Sequence, residues 1–318
     1  MNTGTATRPE RLRDKAAISS HYDLPPEFFA SFLGPRMAYS CAYFRSEDTP
    51  LAQAEEDKLT LTAEKLCLEP GDRVLDIGCG WGSFIHFAAE RYGVTCVGIT
   101  LAEEQARAVE RRAAREGTRE RVRADVVHAY DMDYGAGAFD KIVTIGAIEH
   151  MEDLGRVFGR CSEMLADDGL MLVHGMTQPW RSRRRLMRGE TDEATRLLYE
   201  HFGVGHWHSL WEVVEGLEKN GFEILDVENI SQHYKLTVER WLDNLLANED
   251  RIVGEGILPD EKVREFIAFF AAYVVSFEMS ETICSQVLAR KTLEGRLRDP
   301  YPLTRERMMM PPPSAEEG

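Results

Sequence analysis

The chain has 318 residues, 43% of them apolar, which is enough to bury a full core as one elaborated domain. Its 38 basic residues stand against 54 acidic ones, and the net charge of -16 repels nucleic acid and anionic bilayers at long range, so any lipid must be met through a local patch. The cysteines Cys41, Cys67, Cys79, Cys96, Cys161 and Cys284 form no CxxC pair, no apolar run is long enough to span a bilayer, and the first twenty residues hold no signal-like segment, so the expectation is a soluble cytoplasmic protein with free thiols.

Residues 1–18 are polar and expected to be flexible, and residues 19–70 are expected to form an N-terminal helical lid. From residue 71 to 176 short β-branched runs alternate with amphipathic helical patterns: RVLDIG then SFIHFAAERY, TCVGIT then AEEQARAVERRAARE, VRADVVHA, FDKIVTIGA then DLGRVFGRCSEML, and LMLVHGM. This alternation predicts a parallel sheet wrapped by helices. An Arg-rich insertion over 177–221 then covers the substrate side and ends in a helix near Leu210 to Lys219. Residues 222–291 supply the strand FEILDVENI, two long helices and a last strand near Gln286 to Ala289, and 292–318 reads as a partly disordered tail. The expected fold is α/β, a doubly wound, mostly parallel sheet of seven strands with helical lid insertions.

The strongest local signal is Val74-Leu75-Asp76-Ile77-Gly78-Cys79-Gly80-Trp81-Gly82, an apolar strand that ends in a glycine turn and opens into a helix. Glycines at the carboxyl end of a first parallel strand let the backbone approach a ligand, and the helix N-terminus offers free N–H groups. A dinucleotide fingerprint would need G-x-G-x-x-G and an acidic residue closing the second strand. Here the third glycine comes one residue early and that strand ends Gly98-Ile99-Thr100. The loop D-x-G-C-G-x-G is instead similar to the S-adenosylmethionine (SAM) loop of class I methyltransferases. Thr100 and Gln105 are a second candidate contact, although Thr100 and Glu103 also have capping-box spacing, and both readings stay open.

Several stretches in order resemble the cyclopropane-fatty-acid synthases and mycolic-acid cyclopropane synthases. They are His21-Tyr22-Asp23-Leu24 with Phe28-Phe29, Met37 through Phe44 (MAYSCAYF), DIGCGWG, Gly98 through Leu101 with Gln105, Phe139 through Val143, Ile145-Gly146, Glu149-His150, His174, and His233-Tyr234 with Thr237 and Trp241. The resemblance implies that Tyr39 and Ser40 close over SAM lying on Asp76, Gly78, Cys79, Gly80 and Gly82 and on Thr100, Leu101 and Gln105, with the adenine edge near Ala129-Tyr130. It also implies a bicarbonate ion held by Cys41, Glu149, His174 and Tyr234. The implied reaction is methyl or methylene transfer to the double bond of an unsaturated acyl chain, whether lipid-bound, carrier-bound or free, through a transient membrane or acyl-carrier contact. A small-molecule acceptor methylated on carbon or nitrogen is the alternative.

Two features depart from that pattern. The insertion carries Arg181, Arg183, Arg184, Arg185 and Arg188, suited either to an acidic partner or to a solvated helix face, and it continues into His201, His206 and His208, for which no metal is expected. The aromatic stripe Phe266, Phe269, Phe270, Tyr273 and Phe277 suits either a core face or the wall of an acyl channel.

Overall fold

The computed structural model describes residues 24–190, 206, 208–292 and 301–308. Residues 1–18, His21, Tyr22, Asp23 and His201 lie outside the described residues.

The seven strands are β1 (Arg73–Ile77), β2 (Thr95–Thr100), β3 (Val122–Val126), β4 (Phe139–Ile145), β5 (Leu165–Thr177), β6 (Phe222–Asn229) and β7 (Ile283–Lys291). They form one sheet in the order β3-β2-β1-β4-β5-β7-β6. Strands β1 to β5 pair in parallel, and β7 runs antiparallel between β5 and β6. The fold is the expected α/β sheet. Its last strand is longer than the alternating pattern suggested: β7 is paired on both edges and buried along nearly its whole length, so no period of two marks its ends.

The helices are α1 (Pro26–Ala30), α2 (Leu51–Lys65), α3 (Ser83–Tyr92), α4 (Glu103–Glu116), α5 (Leu154–Met164), α6 (Trp180–Met187), α7 (Leu210–Lys219), α8 (Ser231–Gly254) and α9 (Asp260–Glu278). Two apolar cores fill the faces of the sheet, one containing Leu75, Ile142 and Phe158, the other Val74, Phe84 and Val143. A third joins α1, α8 and α9 over the carboxyl end of the sheet. There the aromatic stripe of α9 is core: Phe266 packs edge-on to Phe28 with centroids 4.8 Å apart, and Phe270 meets Phe32 at 5.3 Å. Each such buried ring contributes roughly 1.5–3 kcal/mol, so the stripe anchors α1 and the segment after it on α9. Residues 301–308 return to the body, where the Tyr301 hydroxyl donates to the Lys65 carbonyl at 3.0 Å and Arg305 pairs with Asp226.

Strand order reverses between β1 and β4, and the crevice outside such a switch point is where open α/β sheets bind ligands. Register brings the rest of the site there. Ile145 pairs with His174 across β4 and β5, and the Gly146 N–H donates to the His174 carbonyl at 2.9 Å, which seats the turn carrying Glu149 directly beside β5.

Candidate active site

At the end of β1 the chain turns through Gly78 and Gly80, both left-handed at φ 82° and 53°. A Cβ on Gly78 would stand 2.4 Å from the Ala147 Cβ, whereas one on Gly80 would meet nothing within 4 Å, because it faces open space. The turn floors a cleft of about 1060 Å³, counting the part open to solvent. Its lining includes Tyr39, Ser40, Asp76, Gly78, Cys79, Gly80, Thr100, Leu101 and Gln105.

Two assigned residues fall elsewhere. Gly82 is the N-cap of α3 with φ 79°, and it turns the chain into the helix instead of lining the cleft. Tyr130 is buried with its hydroxyl accepting the Asp153 N–H at 2.8 Å and its ring 4.1 Å beneath the Arg156 guanidinium. Its neighbours His128 and Ala129 form that wall, joined by Val127. The capping-box spacing at Thr100 is also not used as a box, since Ala102 is the N-cap of α4 and no side chain caps it. Thr100 Oγ1 instead accepts the Ala102 N–H at 3.1 Å and donates to Gln105 Oε1 at 2.7 Å, which ties the two cleft residues together.

The cleft's remaining wall is the segment before α2. Met37 holds a left-handed φ of 56°, and Tyr39 packs on Phe29 and Trp241 with centroids 5.6 and 5.1 Å apart. Helix α8 fastens this segment from above: Thr237 Oγ1 accepts the Ala42 N–H at 3.0 Å, His233 Nδ1 accepts the Phe44 N–H at 3.1 Å, and Tyr43 stacks on the His233 ring. Spacing of one and four residues puts His233, Tyr234 and Thr237 on one side of the helix, which is the physical content of that sequence signature.

Cys41, Glu149, His174 and Tyr234 gather deeper, one residue beyond the cleft wall at Ser40. The Cys41 and Cys284 sulfurs and a His174 ring nitrogen all lie within 4.8 Å of one another, in full burial. Burial pushes the Tyr234 hydroxyl well above its ordinary range, reinforced by the nearby Tyr273, Cys284, Cys41 and Glu149. Glu149 is half-buried as a residue, but its Oε2 is sealed from solvent with no hydrogen-bond partner among the described residues, while Oε1 accepts the Met176 N–H at 2.6 Å. Burial raises its carboxyl to about 7, and does the same to Asp76. Burial, with Lys58 and Lys65 adding to it, holds His174 well below its ordinary value, so the imidazole is neutral.

Three residues of this region carry no motif. Lys58, fully buried on α2, donates from Nζ to Ser40 Oγ at 3.1 Å and reaches both groups, the cleft side through Asp76 and the deeper side through Cys41 and Cys284. Lys65 and Cys284 stand behind and beside His174. The cleft suits SAM on its own chemistry: the turn backbone is bare at Gly80, and buried Asp76 Oδ1 has no partner among the described residues and can take a ligand donor.

The family of mycolic acid cyclopropane synthetases matches residues 10–287. The chain belongs to that family of SAM-dependent methyltransferases. A probable fatty acid methyltransferase of Pseudomonas putida is 33% identical over 301 residues, covering 94% of this chain and 75% of its own length. Cyclopropane mycolic acid synthase 3 of Mycobacterium tuberculosis is 36% identical over 74% of this chain and 84% of its own. The solved mycolic acid cyclopropane synthase CmaA1, in complex with SAH and CTAB, superposes with a TM-score of 0.80 at 30% identity, over 87% of this chain and 98% of that one. SAM is therefore the co-substrate of this methyltransferase. Among the described residues no helix is long and apolar enough to cross a membrane.

The Arg-rich insertion is partly tied down. Arg183 pairs with Glu212 and Arg185 with Glu281 at 2.9 Å, while Arg181 and Arg184 are exposed on α6 and Arg188 is exposed in the turn after it.

Proposed function

We propose that the protein transfers a methyl or methylene group to the double bond of an unsaturated acyl chain, lipid-bound, carrier-bound or free, with a bicarbonate ion at the Cys41, Glu149, His174 and Tyr234 group. SAM supplies the methyl carbon, whose bond to sulfur breaks as the alkene electron pair attacks it, and this leaves a cation on the neighbouring alkene carbon. Bicarbonate supplies the base that takes a proton from the new methyl as the ring closes.

The observation that carries this reading is Glu149. One of its oxygens is spent on the Met176 N–H and the other is sealed without a partner among the described residues, beside Cys41, His174 and Tyr234. A carboxylate oxygen accepts and cannot donate, so it suits an anion that itself bears an O–H. Around it the protein offers buried, neutral side chains, an environment that keeps a cationic intermediate from being trapped. Tyr234 and His174, both neutral, orient the ion, and α8 with α9 wall off solvent.

The test is incubation with SAM and a cis-unsaturated phospholipid or fatty acid, with mass spectrometry for a gain of one methylene and proton NMR for upfield cyclopropane signals or a branch methyl. Depleting dissolved carbon dioxide should stop turnover and adding bicarbonate should restore it. An unmodified lipid alongside turnover of a small amine would transfer the assignment to the small-molecule alternative.

A further inference from the structure

Behind His174 lies a row of polar groups that the reaction above does not use. Antiparallel pairing of β5 with β7 sets Gln286 opposite His174, and pairing of β7 with β6 sets Glu228 opposite Gln286. Lys65, the last residue of α2, reaches into this row with its side chain 1% exposed. Its Nζ donates to Gln286 Oε1 at 2.7 Å and pairs with Glu228, which Tyr43 also contacts through its hydroxyl.

An ammonium has N–H bonds and no lone pair, so the Gln286 atom facing Lys65 must be the oxygen. The other end of the amide is then the NH2 group, 3.2 Å from His174 Nδ1. An amide NH2 only donates, so Nδ1 keeps its lone pair and the ring's single proton sits on Nε2. Nε2 is the atom 3.7 Å from Cys284 Sγ, on the side of Cys41. We infer that Lys65 and Gln286 are positioning residues that lock His174 as the neutral Nε2–H tautomer, so that it gives the site an N–H donor and cannot act as its base.

The lock has a second effect on the same side chains. Two cysteines and a histidine within 4.8 Å are a ligand set suited to zinc, but coordination needs the Nε2 lone pair, and the Nε2 proton occupies it. Keeping the proton there withholds the site from soft metals. The N–H donor's role toward an anion rests on the function proposed above, whereas the tautomer itself does not.

The experiment is two-bond proton–nitrogen correlation NMR of the full chain labelled with [15N]histidine, the His174 signals being identified by their loss in His174→Gln. The expected spectrum shows Nδ1 unprotonated and Nε2 protonated, unchanged between about pH 5.5 and 8.5. Gln286→Glu puts a carboxylate where the donor was, so it should move the proton to Nδ1. The variant should then bind Co2+ with a thiolate-to-cobalt absorption at concentrations where the natural chain shows none. Lys65→Met and Gln286→Leu should lower kcat by about tenfold or more, with the KM for SAM within about twofold, and Lys65→Arg should recover most of the loss. An Nδ1-protonated or doubly protonated His174 in the natural chain overturns the inference, as does a Gln286→Glu variant that keeps the original tautomer. The spectrum of the natural chain decides alone if the variants do not fold. Turnover that needs no bicarbonate, together with the expected spectrum, would remove the proposed ion and leave the lock standing.

Discussion

Glu149 Oε1 accepts the Met176 N–H at 2.6 Å, so one oxygen of this carboxylate is structural, and the other, buried without a hydrogen-bond partner among the described residues, is the one the proposed bicarbonate would use. Glu149→Gln preserves an oxygen for Met176 and replaces the second acceptor by a donor. Turnover should fall by about 100-fold or more, with SAM affinity within about twofold. Because burial raises this carboxyl to about 7, its ionised form accumulates only above that pH. The natural chain should therefore gain activity as pH rises through about 7, a limb missing from the residual activity of the variant. If the limb survives, Asp76, raised to about 7 by the same cause, is its source.

Gly78 and Gly80 separate folding from binding. Both are left-handed, but a methyl on Gly78 collides with Ala147 and one on Gly80 projects into the cleft. Gly78→Ala should destabilise the fold by roughly 1–3 kcal/mol and also weaken SAM binding. Gly80→Ala should cost little more than about 1 kcal/mol, the left-handed penalty alone, while SAM binding falls by at least about tenfold in calorimetry. Equal SAM affinity in Gly80→Ala and the natural chain would remove the loop from the cofactor site.

What the sequence made legible follows from the range of each interaction. The glycine turn was readable because its strand, glycines and helix are contiguous, and the alternating runs because the sheet's period is local. Ala42 and Thr237 meet across 195 residues, so no spacing could have joined them, and only the family pattern did. Lys58 and Lys65 carry no sequence signal, because a helix reading LAQAEEDKLTLTAEK looks solvated, its hydrophobic face blurred by charges that the fold buries. At Tyr130 the structure puts Val127, His128 and Ala129 on the cleft wall and bonds the Tyr130 hydroxyl to the Asp153 N–H, a distinction that nothing in an irregular segment after β3 makes legible.

Thr237 is the fastening whose loss should be felt at a distance. Its Oγ1 accepts the buried Ala42 N–H and donates to the His233 carbonyl at 2.7 Å. Thr237→Val keeps the shape and leaves that N–H without a partner, at a cost of about 1–3 kcal/mol. Urea melts should show this loss, accompanied by a raised KM for SAM because Tyr39 and Ser40 sit on the freed segment. Thr237→Ser should restore both. A destabilised variant with unchanged KM would mean that the segment holds its place without α8.

Tyr130→Phe tests the opposite case. The hydroxyl accepts the Asp153 N–H next to the start of α5 and lies away from the cleft, so its removal should cost about 1 kcal/mol of stability and leave the KM for SAM unchanged. A raised KM with unchanged stability would return Tyr130 to the cofactor site.

Glu55 governs how stability depends on pH. It is fully buried on α2, its Oε1 accepting the Gly34 N–H at 2.9 Å, and burial lifts its carboxyl from 4.5 to about 7, with Gly34 and Lys58 opposing the shift. The folded state therefore binds this proton more tightly than the unfolded chain does between those two values, so stability falls as pH rises through that window and levels off above it. At ~1.36 kcal/mol per unit the full loss is about 3 kcal/mol. Glu55→Gln keeps an oxygen for Gly34 and cannot ionise. Relative to the natural chain it should gain stability between about pH 5 and pH 8, by an amount of that order, in denaturant unfolding at the two ends. A difference between the two chains that does not change with pH would show that Glu55 is ionised in the fold throughout, held by Lys58.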